Sequence, residues 1–162
     1  MTIKIVPAKF EEDFDAIWDI FQSVIATGDS YIYPEDITRE EAKTVWFGGT
    51  ATYVAKDGNK IVGTYVIRPN KVGRGSHVCN AGFMTSLDHR GKGIGRKMGM
   101  HSLIESKKLG YLAMQFNVVV STNAVAVNLW QSIGFKIIGT IPEGYQHKQK
   151  GLVDIHIMYQ KL

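Results

Sequence analysis

Residues 90–97, Arg-Gly-Lys-Gly-Ile-Gly-Arg-Lys, set three glycines at alternate positions among four cations. A strand-like apolar run precedes them and a helix-like run follows. Glycine lacks Cβ, so a ligand can approach its backbone closely. The first N–H groups of a helix lack internal partners, and that end of the helix carries partial positive charge. A glycine-rich turn from strand into helix, ringed by Arg90, Lys92 and Arg96, therefore suits a phosphate group. Two common nucleotide patterns fit it poorly. A P-loop needs Ser or Thr after Gly-Lys, and Gly93 follows Lys92 here. A dinucleotide fingerprint spaces its glycines G-x-G-x-x-G and wants an acid about twenty residues on. Here the spacing is G-x-G-x-G, and residues 112–120 end without an acid.

The elements that must carry this turn are legible on either side of it. Phe10, Phe14, Ile17, Trp18, Phe21 and Ile25 recur at helical spacing, and Gly28 ends the run. Pro34 marks a loop, and Thr38 with Glu41 forms a capping box for a short helix to about Phe47. Two β runs, 51–56 and 60–68, flank Asp57-Gly58-Asn59, a strong hairpin signal. Residues 75–87 read as a longer strand in which Gly82 suggests a bulge. A helix follows from Ile94 to Lys108, then a buried-looking strand over 111–120 and a helix over 122–134. Segments 2–8, 135–141 and 152–162 complete a β-α-α-β-β-β-α-β-α-β-β order. The expected class is α/β (α+β), a mixed sheet flanked by helices, in one domain over residues 1–162.

Composition narrows the function further. The net charge of +4 suits an anionic ligand but is too small and dispersed to indicate nucleic acid. A single cysteine, Cys79, leaves no internal disulfide and no thiolate metal cluster. No apolar run approaches the roughly 20 residues of a membrane span, and the N-terminus has no signal-peptide core. A cytoplasmic protein with neither metal nor membrane partner is expected.

Arg90-Gly91-Lys92-Gly93-Ile94-Gly95 resembles the Arg/Gln-x-x-Gly-x-Gly/Ala acyl-CoA signature of the GCN5-related N-acetyltransferases (GNAT). Asn123, Ala126, Leu129 and Gly134-Phe135 resemble that family's later N-x-x-A-x-x-L-Y-x-x-x-G-F pattern, in the same order along the chain. The resemblance implies a GNAT-like fold with a splayed central strand pair, formed here by the strands around 79–87 and 111–120. It implies acetyl-CoA (coenzyme A) as donor and an amine as acceptor. By position, the pyrophosphate would rest on the segment Arg90, Gly91, Lys92, Gly93, Ile94, Gly95 and Arg96. The pantetheine arm would pair with Phe83, Met84 and Thr85, and an N–H near Met84 or Thr85 would stabilise the oxyanion. Asn123 matches the asparagine that contacts the cofactor.

Two positions depart from the pattern. Trp130 replaces the tyrosine that often protonates the leaving thiolate, and Val118 stands where some relatives carry a glutamate base. An indole N–H donates a hydrogen bond but is no acid at neutral pH, so Trp130 reads as a packing group, against pantetheine or in the core. With neither acid nor base carried over, a water chain must take the amine proton.

On the acceptor side, Asn80 and Asn117 lie on the two splaying strands, where asparagine has low propensity. They read either as satisfied amides or as groups that orient the acceptor. With Asn123 they are similar to a subgroup acetylating small cyclic imino acids such as proline analogues. Asn117, Asn123 and Trp130 are therefore the residues placed nearest the chemistry. Tyr31 and Tyr33 lie in the loop that in this family folds over the acceptor, with Trp46 or Phe47 as apolar walls and Tyr145 on a second rim. Lys148 and Lys150 read as a solvated hairpin tip. His77 and Cys79 share a strand face without a third partner, and His101 and His156 lack metal-ligand spacing. The expected function is acetyl transfer to a small amine or amino acid analogue by direct attack in a ternary complex. Acetylation of a protein N-terminus or lysine, and an inactive acyl-CoA-binding regulatory domain, are the alternatives. The sequence leaves a homodimer open.

Overall fold

The computed structural model describes residues 2–162. The elements run β1 (Ile3–Pro7), α1 (Phe10–Ala26), α2 (Arg39–Phe47), β2 (Ala51–Asp57), β3 (Lys60–Pro69), β4 (Val78–Thr85), α3 (Ile94–Lys108), β5 (Ala113–Val120), α4 (Ala124–Ser132), β6 (Lys136–His147) and β7 (Gly151–Lys161). The order matches the one read from periodicity. Thr38 and Glu41 form the expected reciprocal capping box on α2. The Asp57–Lys60 turn joins β2 to β3.

The seven strands make one mixed sheet in the order β1-β2-β3-β4-β5-β7-β6. Its parallel neighbours are β4 and β5, and they pair only at Val78–Ala113 and Cys79–Met114. Asn80 Nδ2 bridges to the Gln115 carbonyl at 2.9 Å, and past this point the strands part. The splay implied by the family resemblance is therefore present.

Two apolar clusters hold the sheet from opposite faces. On one, α1 and α2 bury Ile17, Phe21 and Trp46 against Val54, Val66 and Met84. On the other, α3 and α4 bury Ile94, Met98 and Trp130 against Tyr65, Ile67, Met114 and Phe116. At roughly 1.5–3 kcal/mol for each large buried apolar side chain, this burial is what fixes the sheet between its helices. No described helix is long and apolar enough to cross a membrane.

Two expectations change. The β3–β4 register runs unbroken through Gly82–Val66, so there is no bulge at Gly82. Gly82 serves close approach instead: a Cβ there would meet the Trp46 ring at 3.3 Å and the Tyr31 hydroxyl at 3.5 Å. The irregularity beside the gap sits on β5, where pairing with β7 shifts between Phe116 and Val119 and leaves Asn117 and Val118 out of register. Finally, β6 extends to His147, so Tyr145 belongs to a strand rather than a rim loop. It is buried against Val120 and Ile155.

Candidate active site

The glycine turn enters α3 in a left-handed conformation that disfavours any side chain. Gly91 and Gly93 have φ of 74° and 76°, and Gly93 is the N-cap with no side-chain cap. A Cβ at either would meet nothing within 4 Å, so both backbones face open space. The first α3 hydrogen bond runs from Lys97 N to Gly93 O at 3.1 Å. The N–H groups of Ile94, Gly95 and Arg96 therefore have no helical acceptor and point out of the helix end.

From this turn a cleft of about 830 Å³ runs through the gap between β4 and β5 to the segment Asp29–Tyr33. Its volume is in the usual range for sites that hold a sizeable ligand. The turn contributes Arg90, Gly91, Gly93, Ile94, Gly95 and Arg96 to the wall, while Lys92 lies outside it. Arg96 is held by Ser132 Oγ of α4 at 2.6 Å. Phe83, Met84 and Thr85 all line the cleft, but with different roles. Ser86 N donates to Val62 O and Asn70 N to Val78 O, both toward β3. Backbone direction alternates along a strand, so Ala81, Phe83 and Thr85 turn their N–H and C=O into the gap. Met84 turns its backbone toward β3 and buries its side chain among α1 and α2 residues.

Tyr31 closes the other end. It is a bulky residue at φ 64°, a conformation that costs energy and clusters at functional sites. That strain delivers its hydroxyl to the Phe83 carbonyl at 2.5 Å, across the opened edge of β4. Its ring stacks on Tyr33 with centroids 6.0 Å apart and meets Trp46 edge-on. Burial, with Tyr33 beside it, pushes the phenol far above its ordinary range, against the pull of the Phe83 hydrogen bond and Arg68, so it stays a donor. Trp46 stands behind Tyr31, bonded to Thr64 Oγ1 at 2.9 Å, and neither it nor Phe47 lines the cleft as expected. Lys148 and Lys150 are exposed in the β6–β7 turn, the expected hairpin tip, but Lys148 is also tethered. Its backbone N–H donates to Gly28 O, and its ammonium reaches Ala26 O and Glu35, fastening the Asp29–Tyr33 loop.

The three asparagines line the cleft but do different work. Asn123 Oδ1 accepts from Ala126 N at 3.2 Å and caps α4. Asn80 bridges the strands at the point of splay. Asn117 is exposed, donating to Asn70 Oδ1 at 2.6 Å and accepting from Gln115 Nε2 at 3.0 Å. Trp130 is 8% exposed, with ring centroids 4.8 Å from both Phe83 and Phe116. Cys79 is fully buried, and burial raises its thiol pKa, which removes a thiolate nucleophile from consideration. His101 Nδ1 meets Tyr65 Oη at 2.6 Å and His156 Nδ1 meets Thr140 Oγ1 at 2.8 Å, so both are satisfied locally.

Two further charged residues stand on the cleft wall, Asp29 from the loop of acids and aromatics and Arg68, which escaped the sequence reading. Asp29 is the one carboxylate among the described residues on the wall. Arg68, near the end of β3, lines the cleft opposite Asn80. The available signal was a lone cation closing an otherwise apolar strand, Tyr65-Val66-Ile67-Arg68.

A family model described as the acetyltransferase (GNAT) family matches residues 14–135. The chain belongs to that family. A GCN5-related N-acetyltransferase structure from Kribbella flavida is 36% identical with a TM-score of 0.94, covering 99% of this chain and 98% of that one. The N-acetyltransferase aca1 of Schizosaccharomyces pombe is 38% identical over 98 residues, which are 60% of this chain and 47% of that protein. The chain thus spans about half the length of that relative. A phosphinothricin acetyltransferase from Sinorhizobium meliloti, solved in complex with AcCoA, shares the fold at a TM-score of 0.89 and 19% identity, covering 100% of this chain and 89% of that one.

Acetyl-CoA is the donor used by the GNAT family, and the geometry fits it. The unpaired N–H groups at the start of α3 and the open faces of Gly91 and Gly93 suit the pyrophosphate. The freed edge of β4 offers strand-like partners for an extended amide-bearing arm.

Proposed function

We propose that this chain transfers an acetyl group from acetyl-CoA to the amine of a small molecule, an amino acid analogue or another small amine, by direct attack in a ternary complex. Acetyl-CoA supplies an activated thioester. The chain's part is to bind, orient and polarise. The amides of Gly93–Arg96, with Arg90, hold phosphate charge at the positive end of α3. The N–H groups of Phe83 and Thr85 face the gap and are the donors placed for a developing oxyanion. Trp130 packs between Phe83 and Phe116 and shapes the gap without proton transfer.

The amine must arrive as ammonium and lose a proton, since its ordinary pKa is about 10. With Asp29 the only acid on the described wall, and Val118 in the family's glutamate position, that proton leaves through water. The rate accordingly rises with pH as the free-amine fraction grows.

One observation carries the small-acceptor reading. The loop over the acceptor side is fastened at its middle, by Tyr31 to Phe83 O, and on both flanks, by Lys148 to Gly28 O and to Glu35. A peptide main chain would have to displace it. The test is thiol release from acetyl-CoA with small amino acids, cyclic imino acids and simple amines against peptide N-termini and lysine peptides. Small acceptors should lead in kcat/KM by at least about tenfold, 1.4 kcal/mol of transition-state preference. Faster peptides would replace this reading with protein acetylation. Saturable CoA binding with no turnover of any acceptor would make the chain a CoA-binding regulatory domain.

A further inference from the structure

The acceptor end of the cleft holds a cation, Arg68, that pairs with no acid among the described residues. Arg68 extends from β3 on the face shared with Asn80 and Gly82, the face that α1 and α2 cover. Its Nε is buried and has no hydrogen-bond partner among the described residues. It takes part in no ion pair among the described residues, whereas Arg39 pairs with Asp15 and Arg96 bonds Ser132. Arginine is always charged, and a buried guanidinium N–H left unpaired is destabilising, so such a group calls for a missing partner. The guanidinium is a planar fork that matches a carboxylate.

Its position separates it from the donor site. Arg90 and Arg96 stand at the glycine turn on the α3 side of the sheet, and Arg68 stands on the α1 side. The phosphate reading therefore does not use it. Next to it, Asn80 has its Nδ2 committed to Gln115, and Tyr31 lies close enough for the Arg68 charge to bear on its phenol. The described acceptor end thus offers a cation and an amide at one side, and aromatic walls from Tyr31 and Tyr33 at the other.

We infer that the acceptor is an anionic amine, its carboxylate held by Arg68 and its amine turned toward the opened edge of β4. This rests on the small-acceptor reading above and names its substrate class: amino acids and their analogues rather than simple amines. Arg68 is then the specificity-determining residue. It leaves the acetyl donor untouched and discriminates among acceptors by charge.

The experiment compares matched acceptors, amino acids and cyclic imino acids against their carboxamides, in wild type, Arg68→Gln and Arg68→Lys. Acetyl-CoA affinity by calorimetry and thermal melting are measured alongside, to establish that each variant folds and binds its donor. Charge-assisted hydrogen bonds are strong enough for a tenfold to roughly hundredfold preference for the carboxylate in wild type. Arg68→Gln should cut that preference to about threefold or less, chiefly through KM, with acetyl-CoA affinity and carboxamide turnover retained. Arg68→Lys should restore part of it, because it keeps the charge and loses the fork. Carboxamides as good as carboxylates in wild type, or a preference that survives Arg68→Gln, would overturn the inference while leaving the small-acceptor reading standing. Turnover of neither member, with acetyl-CoA still bound, would overturn both. If neither variant folds, the wild-type comparison still decides: equal rates refute a carboxylate anchor, and a strong preference supports one.

Discussion

Gly93→Ala tests the phosphate cradle, provided its effect on folding is separated from its effect on the ligand. Gly58→Ala makes the separation. Both glycines have positive φ, 76° and 58°, and at both a Cβ would meet nothing within 4 Å. Each substitution therefore carries the same backbone penalty, about 1–2 kcal/mol for an L-residue held left-handed, and no steric clash. For a domain of this length 1 kcal/mol corresponds to roughly 2–4 °C, so each variant should melt roughly 2–8 °C below wild type. They differ in place. Gly58 sits in the β2–β3 turn away from the cleft, and Gly93 sits on the cleft wall as the α3 N-cap. An added methyl at Gly93 projects where a phosphate oxygen must approach the N–H groups. Loss of one hydrogen bond to a charged group is worth about 1.5–3 kcal/mol, a weakening of CoA binding by roughly tenfold to 150-fold. Calorimetric titration with CoA reads this directly, and the melting shift at fixed CoA reads it independently. Gly58→Ala should lose stability and keep wild-type affinity. Equal CoA affinity in the two variants would refute the cradle.

Trp130→Phe should keep activity within about a hundredfold of wild type, the lower range for loss of a general acid or base, and a larger drop would make Trp130 a proton donor after all. Trp130→Ala should cost about 3–5 kcal/mol in urea titration, because it empties the space between Phe83 and Phe116. Stability should also fall on mild acidification through His101. Burial lowers its pKa in the folded chain, opposed by Glu105 and reinforced by Lys108. The unfolded chain then binds the proton more readily below its own pKa of about 6.5, so the contribution is complete above that value and is lost as pH drops through it toward the folded pKa. His101→Gln should flatten the slope of the urea midpoint between about pH 7.5 and pH 5, and an unchanged slope would place it elsewhere.

Much of this molecule was legible because its signals are short-range. The alternating glycines at 91, 93 and 95, the Thr38–Glu41 box and the Asp57-Gly58 turn each act within a few residues, through φ preference or a local hydrogen bond. The helical spacing of Phe10 to Ile25 likewise reports one buried face. The family pattern joined these pieces in order and implied the splayed strands. What it could not supply were contacts made between segments far apart in the chain. Tyr31 meets Phe83 across 52 residues and Lys148 meets Glu35 across 113, and nothing local to either residue encodes its partner. Gly82 looked like a bulge because a strand glycine often is one, yet its lack of Cβ serves the approach of Trp46 and Tyr31 from a different layer. The bulge fell at Asn117 and Val118, where β5 must follow β7 while parting from β4. Arg68 is the plainest case. Along the chain it is one cation after an apolar run. Only the β3–β4 register and the covering of that face by α1 and α2 make it a half-buried cation on the wall of a cleft, with its Nε out of reach of water. Conformational preference is written residue by residue, whereas desolvation of a charge depends on everything the fold brings around it.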